Sequence, residues 1–300
     1  MKILLFGRNG QVGWELQGSL APLGEMLALE RGSTDYCGDL SSPEGVGETV
    51  RRWRPDVVVN AAAHTAVDKA ESEPELVRQI NAVAPAALAQ AANEVGAWMV
   101  HYSTDYVFGG NGRSPWKEGD ATGPLGVYGQ TKLEGERLIV ERCARHLILR
   151  TSWVYAARGS NFARTMLRLA QERERLTVID DQVGAPTGAE LIADVTAQVL
   201  WQVLHGVVGT ERVAGIYHLV ADGETSWHGY ATHVIDTARR LRPDLPWKVT
   251  EVAPVPTSAF PTSARRPLNS RLDTGKLCSI FKLALPRWQQ GVDRLLAEIL

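Results

Sequence analysis

One heptapeptide limits what this chain can fold into more than any other feature. Gly7-Arg8-Asn9-Gly10-Gln11-Val12-Gly13 follows the apolar run Ile3-Leu4-Leu5-Phe6 and precedes an amphipathic stretch, Val12–Leu20. An unbroken apolar run closed by glycine fits a strand buried on both faces. A strand, a glycine turn and a helix together open a βαβ unit. Similar runs recur at Met26–Leu29, Val57–Val59, Trp98–Tyr102, Leu147–Leu149 and Ile216–Val220. Helical patterns lie between several of them, at Glu44–Trp53 and over the alanine-rich Glu75–Val95. The expected class is α/β, a doubly wound parallel sheet.

The 300 residues suggest about two domains. The pattern loses regularity after about residue 155, and prolines gather between Pro243 and Pro267. Pro254–Pro261 reads as a long loop, and Trp288–Leu300 as an amphipathic helix. The expected division is a nucleotide-binding domain at 1–155, rejoined by 181–220, and a smaller C-terminal lobe from 156–180 and 221–300.

Lys+Arg total 32 and Asp+Glu 34, a net charge of −2. That balance argues against a nucleic-acid partner and against adhesion to anionic membranes. Cys37, Cys143 and Cys278 are scattered and odd in number, with no CxxC, so they read as buried free thiols. The run at MKILLFGRNG is too short for a signal segment, and no apolar stretch reaches a membrane span of ~20 residues. A soluble cytoplasmic protein is expected.

Glycines at the turn allow a close backbone approach to a pyrophosphate, and the helix start adds free N–H groups and a positive dipole end. Gly7, Gly10, Gln11, Val12 and Gly13 are therefore cofactor-binding candidates, although the spacing is GxxGxxG rather than GxGxxG. Glu30, 17 residues past Gly13, suits adenosine ribose hydroxyls and favours NAD. Arg31 and Arg8 suit a 2′-phosphate and favour NADP. NADPH and NADH both stay open. Asp39 and Leu40 are candidates to flank the adenine.

Tyr128-Gly129-Gln130-Thr131-Lys132 sets a phenol and an ammonium four residues apart, on one helix face. A cation beside the phenol would stabilise the phenolate and tune the tyrosine for proton transfer. Thr104, at the end of the Trp98–Tyr102 run, could hydrogen-bond a substrate carbonyl. Asn81 could hold a relay water or simply bond to backbone.

Taken together, these motifs resemble the extended short-chain dehydrogenase/reductase superfamily. Within it the chain is similar to the dTDP-4-dehydrorhamnose reductase family. The similarity spans essentially all residues, through VVVNAAAHTAVDKAESEP, HYSTDYVFGG, VYGQTKLEGE, LRTSWVYA, DQVGAPTGAEL and ARRPLNSRLD. It implies a Rossmann-like fold whose C-terminal lobe binds substrate. The implied activity is NAD(P)H-dependent reduction of the C4 ketone of dTDP-4-dehydro-β-L-rhamnose in a homodimer. Thr104, Tyr128 and Lys132 would be catalytic, with Asp105 and Trp153 on the sugar nucleotide. Ala63, His64, Thr65 and Tyr102 would join the cofactor site. Either Arg265 or Arg266 would meet the substrate diphosphate. The resemblance also brings in Mg2+ at a dimer contact, with Glu15, Glu190 and Glu298 as candidate ligands. Another nucleotide-ketosugar reductase or epimerase, and a non-catalytic NADP-binding regulator, are the alternatives. The single acid of Thr104-Asp105 disfavours a dehydratase.

Overall fold

Alternation inside the apolar runs decides the layering. In β1 (Lys2–Phe6), Ile3 and Leu5 face one side of the sheet while Leu4 and Phe6 face the other, and all four are fully buried. The computed structural model describes residues 1–209 and 213–300. Residues 210–212, part of the segment expected to rejoin the first domain, lie outside the described residues.

After β1 come α1 (Gln11–Leu20), β2 (Glu25–Leu29), α2 (Pro43–Trp53), β3 (Val57–Asn60), α3 (Val67–Ala70), α4 (Pro74–Arg78), α5 (Ala84–Val95) and β4 (Trp98–Thr104). The middle of the chain gives α6 (Val127–Arg142), β5 (His146–Thr151), β6 (Val154–Tyr155), α7 (Phe162–Glu172), β7 (Arg175–Ile179), β8 (Val183–Gly184) and β9 (Thr187–Gly188). Last come α8 (Ala189–Leu204), β10 (Gly215–His218), β11 (Thr225–Ser226), α9 (Trp227–Leu241), β12 (Glu251–Val255), α10 (Gly275–Phe281) and α11 (Trp288–Ile299).

Six strands pair in the order β10-β5-β4-β3-β1-β2, all parallel. One face packs Ile3, Val57, Val100 and Leu149 against Leu16, Ile192 and Leu200 of α1 and α8. The other packs Leu4, Val58, Met99 and Ile148 against Val46, Leu88 and Ile139 of α2, α5 and α6. From β1 the chain runs first to β2 on one side and then to β3 on the other. That reversal opens a crevice at the carboxyl ends of β1 and β3, where ligands bind in such sheets. A separate core joins α7, α9 and α11 through Leu167, Tyr230, Val234 and Val292.

Three expectations are corrected. Glu75–Val95 is helical throughout but not regular: a π-turn at Gln79–Val83 joins α4 to α5. Pro85 has no N–H and crowds the carbonyl four residues back, and Ala84 N instead bonds Gln79 O, five back. The Pro254–Pro261 loop begins within a strand, since β12 pairs with β7 through Pro254 and Val255. Proline is tolerated at the edge of a two-stranded ribbon. Of the cysteines only Cys143 is fully buried; Cys37 and Cys278 are half-buried.

Candidate active site

The turn after β1 is compact because glycines let two backbones meet. Gly7 has φ +88°, and a Cβ there would lie 2.7 Å from Ala62 N; one on Gly13 would lie 2.1 Å from Gly7 O. Gly10 caps α1 without a side-chain bond, so the first helical N–H groups stay free for an anion. A cleft of about 710 Å³ runs from this turn across the carboxyl ends of β1, β3 and β4. Gly7, Gly10, Gln11, Val12, Glu30, Arg31, Asp39 and Leu40 line one end, and Ala63, His64 and Thr65 the middle. Tyr102, Thr104, Asp105, Tyr128, Lys132 and Trp153 line the other. Gly13 does not; it lies beneath the turn and permits the close packing. The Tyr102 hydroxyl is bonded to Thr196 on α8 at 2.8 Å, which ties the phenol to the core.

The shape and polarity fit a dinucleotide. Gln11 Oε1, His64 Nδ1, Ser103 Oγ, Thr151 Oγ1 and Ser152 Oγ are buried at the cleft without a partner. Ser103, Thr151 and Ser152 were not foreseen; adjacent hydroxyl residues at strand ends were the available signal. At the adenosine end charges pair locally. Arg8 Nη2 donates to Glu30 Oε1 at 3.0 Å, Asn9 donates to the same carboxylate, and Arg31 Nε reaches Asp39 Oδ2 at 3.3 Å. Such exposed pairs are worth about 0–1 kcal/mol, little barrier to a phosphate or a ribose.

The reacting end is assembled on β4 and α6. Glu71 Oε1 accepts from Val127 N at 2.9 Å and so caps α6. Gly129 lets the helix close on the Tyr106 carbonyl, which would lie 2.2 Å from a Cβ. Tyr128 packs its ring edge-on to Tyr106. The ring is partly open to the cleft, but burial of its hydroxyl end raises its pKa to about 12; a hydrogen bond with Thr104 opposes the rise and Asp105 adds to it.

The expected pairing of Lys132 with the phenol is corrected. Lys132 Nζ bonds His101 Nε2 at 2.9 Å and Tyr102 O at 2.6 Å instead. Helical spacing brings both side chains to one face, but the longer lysine reaches past Tyr128 to β4. Burial lowers its pKa to about 8, with Glu136 acting the other way. Asn81, in the π-turn, takes the backbone alternative: it accepts from His64 N at 2.8 Å and donates to His64 O at 3.1 Å.

Thr104 Oγ1 donates to Asp105 Oδ1 at 3.1 Å and accepts from Tyr106 N. Burial raises the Asp105 pKa to about 6, opposed by the hydrogen bond from Thr104, and its Oδ2 has no partner. A raised carboxyl favours the folded state only while protonated. Its contribution is lost as pH rises from the unfolded value near 4 through about 6. Asp105→Asn should therefore stabilise the fold by about 2–3 kcal/mol at about pH 8. The gain should vanish below about pH 4. Urea unfolding at the two pH values measures this; an equal effect at both would contradict it.

A second cavity, of about 250 Å³, adjoins the first at Tyr106 and Trp153. Trp153 has φ +48° and stacks on Trp227, ring centroids 3.7 Å apart. Trp227 Nε1 donates to Gln182 Oε1 at 3.1 Å. Of the two candidate arginines only Arg266 lines this cavity, half-buried and paired with Asp68 at 2.7 Å; Arg265 is exposed. Trp227, Phe260 and Ser270 also line it and were not foreseen, since they come from segments distant in sequence; Gln182 lines it too, in the loop after Asp180-Asp181 that the sequence reads as shaping the sugar pocket.

Glu15, Glu190 and Glu298 do meet, around a small cavity that also holds Arg294. Arg294 Nε lies 3.4 Å from Glu190 Oε2. Burial raises the pKa of Glu15, with Glu298 adding to it, and burial likewise raises that of Glu190. Among the described residues no three His, Cys, Asp or Glu side chains are placed to hold a metal ion. The magnesium set was expected at a dimer contact; in the single chain its three carboxylates share this cavity with the Arg294 guanidinium.

The family model described as the RmlD substrate binding domain matches residues 1–300. The dTDP-4-dehydrorhamnose reductases of Shigella flexneri and Escherichia coli (strain K12) are each 62% identical over 299 residues, covering 100% of this chain and 98% of theirs. The crystal structure of dTDP-4-dehydrorhamnose reductase from Bacillus anthracis str. Ames, in complex with NADP, superposes with TM-score 0.86 at 32% identity, covering 99% of each chain.

Proposed function

The chain belongs to the RmlD substrate-binding-domain family, and on that premise we propose that it reduces the C4 ketone of dTDP-4-dehydro-β-L-rhamnose to dTDP-L-rhamnose with NADPH. One observation carries this most directly: Thr104, Tyr128 and Lys132 stand at the end of the dinucleotide-shaped cleft where the second, aromatic-walled cavity begins. NADPH, when bound, supplies the hydride for C4. Gln11 and Val12 at the α1 start would hold its diphosphate. Glu30, Asp39 and Leu40 would hold its adenosine, and Arg8 and Arg31 are the cations that suit a 2′-phosphate. Glu30 would equally serve the ribose of NADH, so both nucleotides are expected to work.

Thr104 orients the ketone oxygen, and Tyr128 gives its phenolic proton to the developing alkoxide. A phenol with a pKa of about 12 is protonated at neutral pH and still more acidic than the product alcohol. Solvent then returns the proton to Tyr128. Lys132 would hold the nicotinamide ribose. Trp153, backed by Trp227, offers an aromatic wall to the sugar, and Arg266 a guanidinium to the substrate diphosphate.

In this assignment residues 1–155 and 181–220 mainly serve the cofactor, and 156–180 with 221–300, joined by Tyr106, Trp153 and Gln182, serve the sugar nucleotide. A cytoplasmic location and a homodimer belong to the same proposal. In support of the first, none of the described helices is long and apolar enough to cross a membrane.

The test is oxidation of NADPH and of NADH at the nicotinamide absorbance, with the ketosugar generated in situ. One nucleotide oxidised per dTDP-L-rhamnose formed is the expected result. A new sugar without net oxidation would favour an epimerase. Tight nucleotide binding without oxidation would favour the regulatory alternative.

A further inference from the structure

One buried chain of polar groups beside the cleft has no part in the chemistry above. Asn60 ends β3, His101 pairs with it on β4, and Lys132 reaches them from α6; none is more than 2% exposed. The directions of the hydrogen bonds fix the protons. Ala62 N–H can only donate, and it donates to Asn60 Oδ1 at 3.1 Å. The Asn60 amide therefore turns Nδ2 toward His101 Nδ1, also at 3.1 Å, and donates to it. A neutral imidazole carries one N–H, which must then be on Nε2. That N–H points at Lys132 Nζ, 2.9 Å away. Two donors cannot satisfy each other, so Nζ accepts through its lone pair while donating to Tyr102 O. An ammonium has no lone pair to offer.

The surrounding charges agree. Tyr128 and Glu136 share the Lys132 face of α6, Asp105 ends β4, and Arg150 comes from β5. Glu136 is engaged by two bonds from Arg150, at 2.8 and 2.6 Å. Among the described residues no carboxylate bonds Nζ. Burial holds His101 well below the usual histidine range and lowers Lys132 to about 8, so the amine form of Lys132 dominates above that pH.

We propose that Asn60 and His101 form a positioning relay that keeps Lys132 a neutral amine in this arrangement, and that couples its charging to the cofactor-lining segment Ala61–Thr65. For Lys132 to become an ammonium, the Asn60 amide must turn over, and Ala62 N–H then loses its acceptor. A ligand that moves this segment would thereby change the charge next to Tyr128. The catalytic consequence rests on the reductase proposal; the proton positions do not.

The test is NMR of 15N-histidine-labelled protein without added nucleotide, with His101 assigned by comparison with His101→Gln. The expected wild-type form is Nε2–H with a bare Nδ1. Asn60→Asp sets a carboxylate opposite Nδ1, so the proton should move there, and Nε2 should then accept from a Lys132 ammonium. The pH midpoint of kcat/KM that belongs to Lys132 should rise by about one unit or more in Asn60→Asp. A merely structural defect would lower activity without moving that midpoint. An Nδ1–H wild type, or a folded Asn60→Asp with an unchanged tautomer, would overturn the relay. If Asn60→Asp does not fold, the wild-type tautomer decides alone. Failure of the reductase proposal would abolish ketosugar turnover and leave the wild-type spectrum as expected.

Discussion

Tyr128→Phe is expected to lower kcat for ketosugar reduction by about 10²–10⁴-fold, the range for loss of a positioned general acid. The KM for NADPH should stay close to that of the parent. The substitution keeps the ring, so its edge-on contact with Tyr106 survives and α6 keeps its Glu71 cap. Only the proton donor and its hydrogen bond with Thr104 are lost. Steady-state kinetics with each substrate varied would show the split. Unchanged kcat would mean that another group, with Asp105 the nearest candidate, supplies the proton. A rise in nucleotide KM of the same size would mean that the phenol mainly holds the cofactor.

The largest effect on stability is expected about two turns further along the same helix. Glu136 and Arg150 form a two-bond ion pair with exposures of 1% and 3%, and the guanidinium also lies over the Phe108 ring. The pair fastens the helix carrying Tyr128 and Lys132 to β5. Glu136→Leu leaves a buried guanidinium without its counter-charge, which should cost about 3–5 kcal/mol. Glu136→Leu combined with Arg150→Met removes both charges and should recover most of that loss. Urea denaturation of the parent, both single variants and the double variant measures the coupling. A single-variant loss below about 1 kcal/mol would mean that water reaches the pair, as in surface bridges.

Local and periodic features were legible before the structure. The strand, glycine turn and helix at Ile3–Leu20 follow from apolar periodicity and glycine spacing. The face shared by Tyr128 and Lys132 follows from helical geometry. Partners brought in from distant segments were not legible. Nothing near Lys132 in sequence announces that its Nζ meets His101 rather than the phenol, since that contact depends on how α6 packs on β4. Trp153 was visible as an aromatic at a strand end, but its stacking partner Trp227 lies 74 residues away and was not. Glu15, Glu190 and Glu298 converge as the resemblance implied, yet Arg294, one turn before Glu298 on α11, fills the role of counter-ion. The π-turn has a local cause in Pro85, but its use is long-range: it aims Asn81 at the backbone of His64.

The central claim is that the C4 ketone of the sugar nucleotide receives hydride where the two cavities meet at Tyr128. NADPH deuterated at the transferring position of C4 of its nicotinamide tests it most directly, with the dTDP-rhamnose product read by mass spectrometry and NMR. The expected product carries one deuterium, at C4 of the sugar, with one nucleotide oxidised per molecule formed. A product without deuterium, or with deuterium at another carbon, would contradict the account.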